Sequence, residues 1–432
     1  MSPSQPILSL ADTQARLQGY DPQAMRVDQV LDFLRLWVTP VTDTQWVSPL
    51  QAEGRILAEE VISPISVPPH DNSAMDGYAL RGEDIARASE AGLRVVGTAL
   101  AGSAWTGPCG PGECVRIMTG AIMPEGLDTV VPQELVQIDQ DVMRVPAGVL
   151  APGDNRRRMG EDLMQGQPAL RRGARLGPAA CGLLASLGLA EVRVMRRLKV
   201  AYFSTGDEIL SLGEPPREGA VYDSNRYTVH GLLQRLGCEV IDLGVVRDDP
   251  TVLEAAFRAA AAQADAVITS GGVSVGEADH TKDMMRRLGE VAFWRIAMRP
   301  GRPMAVGRLL NPDGRPAVLF GLPGNPVAVM VTFLAFVRPA LQQMMGCQAG
   351  PLPRLRARSV QTLRKKPGRT EYQRGVVRCN DQGELEVEVI GNQGSGVLRS
   401  MVEANGLIVL GHEQATVRAG EMVEVMMFEG AI

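Results

Sequence analysis

Apolar residues recur at helical spacing at Val27, Val30, Leu31 and Leu34, which predicts a helix over residues 25–37. Residues before it are polar and read as a loose terminus, and residues 50–61 read as a second helix. Prolines at 64, 68 and 69 exclude a helix in the next stretch. Short apolar runs at 93–96, 114–118, 129–132 and 142–145, parted by glycine and proline turns, predict a small β-rich lobe. Residues 153–162 read as a charged loop and 177–187 as a short helix. From Leu198 the pattern changes. Predicted strands at 200–204, 240–245, 266–269 and 316–320 alternate with predicted helices at 225–236, 250–263, 280–288 and 327–345. That alternation predicts a parallel, doubly wound sheet with ligands at the carboxyl ends of its strands. Gly346, Pro351 and Pro353 mark a linker. Runs at 375–378, 385–389, 407–410 and 422–428 then predict a small all-β module, a barrel.

The chain of 432 residues exceeds one ordinary domain, and 45% apolar with 22% charged content is that of a globular protein. The 44 basic and 49 acidic residues leave a net charge of 44 − 49 = −5, so no overall field favours nucleic acid. Six scattered cysteines form no C-x-x-C pair, which fits reduced thiols and a cytoplasmic location. The N-terminal residues lack the pattern of a secretion signal. The apolar run 327–337 is too short to span a bilayer, so no membrane is expected.

The stretch Thr269-Ser-Gly-Gly-Val-Ser-Val-Gly-Glu-Ala-Asp279 joins a predicted buried strand to a helix. A glycine-rich turn there exposes backbone N–H groups at the positive end of a helix, a natural anion site. Gly271 and Gly276 have phosphate-loop spacing, but Glu277 stands where a phosphate loop has Lys. A carboxylate instead suits a metal ion or the donors of a heterocycle. Thr205-Gly-Asp-Glu208 and Arg247-Asp-Asp-Pro250 end two other strands. In a parallel sheet these acids converge on one rim, a set of hard oxygen ligands suited to Mg²⁺. Asp249 before Pro250 and Asp223 before Ser224 are also well explained as helix N-caps, whereas Glu208 has no such account. Arg299 and Arg302, on a proline-stiffened loop, and the run Arg156–Arg158 beside Glu161 and Asp162 are candidate oxyanion sites or solvated surface. Asn325 and Pro326 read as a helix cap and first helical residue.

Five motifs occur in one order: Asp71-Asn-Ser-Ala-Met-Asp-Gly-Tyr-Ala79, Arg116-Ile-Met-Thr-Gly120, Thr205-Gly-Asp-Glu208, Ser270-Gly-Gly-Val-Ser-Val-Gly-Glu-Ala-Asp279 and Gly321-Leu-Pro-Gly-Asn-Pro326. Together they resemble the molybdopterin molybdenumtransferases, the MoeA family, which includes the gephyrin E domain. The resemblance runs from about Val27 to the C-terminus. It implies an α/β multidomain fold with a doubly wound molybdopterin-binding α/β domain (198–346), a β-rich N-terminal lobe (63–146), an extended, helical and discontinuous N-terminal domain (1–62 and 147–197), and a C-terminal β-barrel (347–432). It implies insertion of molybdate into adenylated molybdopterin with release of AMP and molybdenum cofactor, dependent on Mg²⁺. The implied assembly is a homodimer whose active cleft lies between the α/β domain of one subunit and the lobe of the other. Asp76, Thr119 and Asp162 would then face Glu208, Asp248 and Asp279, with the last three also as metal ligands. Substrate contacts are expected from Asn225, Ser270, Gly271, Gly272, Ser274, Gly276, Glu277, Pro323, Gly324, Arg156, Arg299 and Arg302. A molybdopterin adenylyltransferase and apo-molybdoenzymes are the further partners implied. One departure stands out: the family commonly has Lys where Arg299 and Arg302 stand here, so charge is kept but a planar fork replaces a point charge.

Two other readings compete. A scaffold role is disfavoured because all the acidic and Thr positions are retained. A molybdopterin-adenylating role is disfavoured by the long N-terminal half, since that activity belongs to related single-domain proteins.

Overall fold

A computed structural model describes residues 8–271, 279–311, 315–348 and 352–428, and side chains of 279–283 are outside the described set. Three six-stranded sheets organise the chain. The central one has spatial order Glu239–Val246, Lys199–Thr205, Ala266–Ser270, Ala317–Leu322, Pro303–Leu309, Gly289–Arg295. The first four strands are parallel, as the pattern predicts. The last two are antiparallel and widen the sheet beyond the expected all-parallel form. Residues 289–309 carry Gly, Pro and Arg among their apolar positions, which blurs the strand signal. Pairing with Ala317–Leu322 on one side decides it, and on the other Gly307, where a Cβ would lie 2.5 Å from Glu290 O, lets the strand Gly289–Arg295 come close.

Helices cover both faces. Ser224–Leu236 and Pro326–Met344 pack on one side, Pro250–Gln263 and Asp279–Leu288 on the other. Successive residues of the strand Lys199–Thr205 point oppositely. Tyr202 is buried with Val229 and Phe320, and Phe203 with Phe257 and Leu253. Pro326–Met344 is long and apolar enough to cross a membrane by composition, but 83% of its apolar window is buried inside this molecule. It is a core helix, interrupted by a π turn at Phe333–Val337 just before Pro339, which cannot donate to the ladder.

The N-terminal helix is Val27–Trp37, and its apolar face (Val30, Phe33, Leu34, Trp37) joins the same core. The residues before it are less loose than their polarity implies. A helix at Leu10–Ala15 buries Thr13, and Leu10 N–H donates to Glu290. Buried Arg308 stacks on Trp37 and donates to the carbonyls of Leu8 and Trp37. The predicted helix over 50–61 does not form. A single turn at Pro49–Gln51 leaves Leu50 exposed, Gly54 takes φ +73°, and Leu57 N–H donates to Ala174 O. Long-range backbone pairing there outweighs local propensity.

The lobe's sheet has order Thr129–Pro132, Gly77–Leu80, Glu113–Ile117, Leu93–Ala99, Val142–Arg144, Gln137–Asp139. The motif at 71–78, which shows no strand periodicity, nevertheless contains two strands, Asn72–Ser73 and Gly77–Leu80. The first pairs with Arg156–Arg157, so part of the predicted charged loop is also strand. In the C-terminal module, Thr370–Cys379 pairs with both Leu385–Val389 and Gly406–Leu410. Strands Arg354–Ser359 and Met422–Met427 complete the circuit, making a closed five-stranded barrel.

Candidate functional site

The carboxyl edge of the central sheet is built from four strand ends. Thr205 is paired in register with Val246, Ser204 with Ser270, and Ser270 with Leu322. Thr205 Oγ1 donates to Asp248 Oδ1 at 2.8 Å, and Asp248 N–H donates to Asp207 Oδ1 at 3.3 Å. The Glu208 carboxylate folds over Gly206, where an added Cβ would lie 2.5 Å from Glu208 Oε2. Gly271 sits at φ +90°, and a Cβ there would lie 2.4 Å from the carbonyl oxygen of Thr205. Only glycine lets the third strand's turn come this close to the first.

The other face of the same edge is lined by hydroxyls. Tyr202 Oη lies 2.8 Å from Ser204 Oγ and 2.7 Å from Ser270 Oγ, all three buried. Burial, with a lesser push from the Asp223 and Asp242 carboxylates, raises the Tyr202 phenol well above its ordinary pKa, so it remains neutral. Asn225 Nδ2 donates to Gly324 O at 2.7 Å, which ties the helix start to the Gly321-Leu-Pro-Gly-Asn-Pro326 turn. Pro323 is buried in that turn and Gly324 exposed. Asn325 occupies the cap position but makes no side-chain cap bond, contrary to expectation. Asp249 does cap, accepting from Thr251 and Val252 N–H groups. Asp223 caps through one oxygen, accepting from Arg226 N–H at 3.1 Å.

Arg299 and Arg302 are exposed on a turn whose Met298–Arg299 strand pairs with Thr370–Glu371 of the barrel. One feature of this corner left no trace in the apolar pattern. Buried Arg374 donates to Asn392 O, Gly394 O and Ser400 Oγ, and Ser395 O accepts from Val327 N–H at the start of the closing helix. Burial, then the charge of Arg299, lowers the Arg374 pKa to about 10. The barrel loop thus abuts the glycine-proline turn. The glycines of Asn392-Gln-Gly-Ser-Gly396 are the signal that could have found it.

In the lobe, Asp76 Oδ1 accepts from Thr119 N–H at 2.7 Å and from its hydroxyl at 2.8 Å. Those two bonds, backbone first, hold the Asp76 carboxyl below its ordinary pKa. Gly77 lies against Val131 O, where a Cβ would clash at 1.9 Å. Arg156 lies 3.7 Å from Asp71, so its charge is partly matched. Asp162 is exposed, with its backbone N–H on Val67 O. Among the described residues, no hydrogen bond or ion pair joins this lobe cluster to the acidic rim.

Gly272, Ser274, Gly276 and Glu277 lie outside the described residues, and so does the side chain of Asp279, whose backbone begins a helix. Among the described residues no group of three acidic, His or Cys side chains surrounds one point. The oxygens of Asp248, Asp207 and Glu208 still suit Mg²⁺, which commonly takes one or two carboxylates and completes its shell with phosphate and water. A cavity of about 300 Å³ lies away from this chemistry, between the N-terminal helix, the closing helix and the barrel.

Comparison with known proteins covers nearly all of this chain. Residues 25–188 match the MoeA N-terminal region (domain I and II), 201–343 a probable molybdopterin binding domain, and 356–428 the MoeA C-terminal region (domain IV). A molybdopterin molybdenumtransferase of Haemophilus influenzae is 46% identical over 388 residues, 90% of this chain and 94% of that protein. One from Nostoc sp. is 37% identical, over 89% of this chain and 88% of its own length. A molybdopterin biosynthesis MoeA protein from Pyrococcus horikoshii OT3 superposes with TM-score 0.80 at 28% identity, over 94% of this chain and all of that one.

Proposed function

The chain belongs to the MoeA family of molybdopterin molybdenumtransferases, and from that premise we propose that it inserts molybdate into adenylated molybdopterin and releases AMP. The observation that carries this reading is the acidic rim, where Thr205 holds Asp248 beside Asp207 and Glu208 at the ends of two neighbouring parallel strands. Ligands of open α/β sheets bind at that edge.

The chain's own residues have separable tasks. Thr205 fixes one Asp248 oxygen and so orients the other. Gly271 brings the third strand's turn onto the first, which narrows the rim around a phosphate. Arg299 and Arg302 supply forked donors for an oxyanion, either the adenylate's phosphates or molybdate itself. Water adds to phosphorus as the phosphoanhydride bridge breaks and AMP leaves, while the pterin's dithiolene sulfurs bond to molybdenum in exchange for molybdate oxygen, which departs as water. Asp248 and Glu208, with Asp279, would hold Mg²⁺, which would offset the negative charge of the phosphates.

The reading includes a homodimer in which Asp76, Thr119 and Asp162 of one subunit close the rim of the other. The absence of any bond between the two clusters within one chain, among the described residues, supports it. Six unpaired cysteines are in keeping with a cytoplasmic protein.

The test follows AMP chromatographically after mixing protein, adenylated molybdopterin, molybdate and Mg²⁺. AMP release is expected to require molybdate, to stop on chelation of Mg²⁺, and to fall on the order of 100-fold in Asp248→Asn. Release at an unchanged rate without molybdate, or in that variant, overturns the reading.

A further inference from the structure

Two buried acceptors at the start of the helix Ser224–Leu236 have no hydrogen-bond partner among the described residues: Asp223 Oδ2 and Asn225 Oδ1. Asp223 is 4% exposed and Asn225 8%. A buried carboxylate oxygen left without a donor is costly, and such groups call for an explanation. Their other atoms are committed. Asp223 Oδ1 accepts the helix-capping bond from Arg226 N–H, and Asn225 Nδ2 is fixed on Gly324 O, which settles the orientation of its amide. The nearby Arg226 guanidinium is taken by Asp242 at 2.9 Å. The Asp223 charge is felt by the Tyr202 phenol, which lies within hydrogen-bond distance of Ser204 and Ser270.

These groups lie on the face of the sheet opposite Asp248. Tyr202 and Ser204 share the side of the Ser224–Leu236 helix, while Phe203 and Thr205 share the other, where Thr205 meets Asp248. The rim therefore has an anionic, metal-suited half and a second half offering orphaned acceptors. Two acceptors match an edge that presents two donors. The 2-amino group and ring N–H of a 2-amino-4-oxopyrimidine, the pyrimidine half of a pterin, provide them. Adenine offers one donor beside an acceptor on its pairing edge and fits less well.

We propose that Asp223 and Asn225 recognise the amino-pyrimidinone edge of the pterin, with the adenylate's phosphates on the opposite, acidic half of the rim. The proposal rests on the molybdopterin reading above, and its test separates the two. Asp223→Ser and Asp223→Asn both keep a side-chain oxygen for the helix cap, and retention of the unfolding midpoint confirms it. Fluorescence titration uses 6-hydroxymethylpterin, its 2-oxo counterpart lumazine as a control, and AMP. Wild type is expected to prefer the pterin over lumazine. Both variants should lose that preference, with pterin Kd rising about tenfold and AMP Kd unchanged. KM for adenylated molybdopterin should rise while kcat stays close to wild type.

Unchanged pterin affinity in the variants, a parallel loss of AMP affinity, or failure of the wild type to bind pterin each overturns the proposal. Asp223-dependent pterin binding by a protein that releases no AMP upholds it and retires the molybdate-insertion reading instead.

Discussion

Asp248 and Asp249 are adjacent carboxylates with different work. Asp249 accepts from the N–H groups of Thr251 and Val252, so Asp249→Ala removes a helix cap. It should cost about 1 kcal/mol of stability, read by chemical denaturation, with AMP release retained. Asp248→Asn should do the reverse. Thr119→Val leaves the backbone donor to Asp76 but removes the hydroxyl. The Asp76 pKa is depressed in the folded chain, so the stabilisation from its ionised form is present above the ordinary carboxylate pKa. It is lost as pH falls through the depressed value. The variant should therefore titrate Asp76 at higher pH, measured by carboxyl ¹³C NMR, and the acid limb of activity should move up with it. Capping carboxylates are legible in sequence because Asp-Pro at a helix start is a local pattern. Asp223 shows the limit of that legibility. The cap was readable, but the second, unpartnered oxygen depends on what the fold packs around it.

The long alternating segments were readable at the level of elements because each strand and helix carries its own period, as in Ser224–Leu236 with Val229, Leu232, Leu233 and Leu236 buried. Elements held by distant partners were not. The strand Pro303–Leu309 and the irregular stretch after Gln51 both follow long-range pairing. Close approach between elements makes a further prediction. Gly271→Ala must place a Cβ at φ +90° against the Thr205 carbonyl. The strain should be about 1–3 kcal/mol. Since it falls between the first and third strand ends, the unfolding midpoint and the rate of AMP release should drop together.

One core joins three parts of the chain, from Phe33 and Trp37 through one face of the central sheet and the closing helix to Tyr372 and Met426 of the barrel. The lobe clusters around Leu93 and Val115 are separate. Among the described residues the lobe cluster at Asp76 makes no bond to its own chain's rim, and a cleft formed across a dimer predicts complementation. Mixed dimers of Asp76→Asn and Asp279→Asn chains each contain one intact site if the cleft forms across the interface. Statistical mixing of the two inactive variants should restore about a quarter of the wild-type rate of AMP release. If the cleft forms within one chain, every site in the mixture carries a lesion and no activity returns.

By itself the sequence determined the order of elements, the α/β period, the turns that need glycine and the motifs that mark the family, since all of these are written over a few neighbouring residues. Only the tertiary structure decided that the sheet gains two antiparallel strands and which strands pair to close the predicted barrel. It also decided that Thr205 meets Asp248 on one face of the rim while Asp223 and Asn225 are left with unsatisfied oxygens on the other. Those outcomes depend on register and packing between residues far apart in the chain, and a local pattern of apolar and polar positions carries no information about such distances.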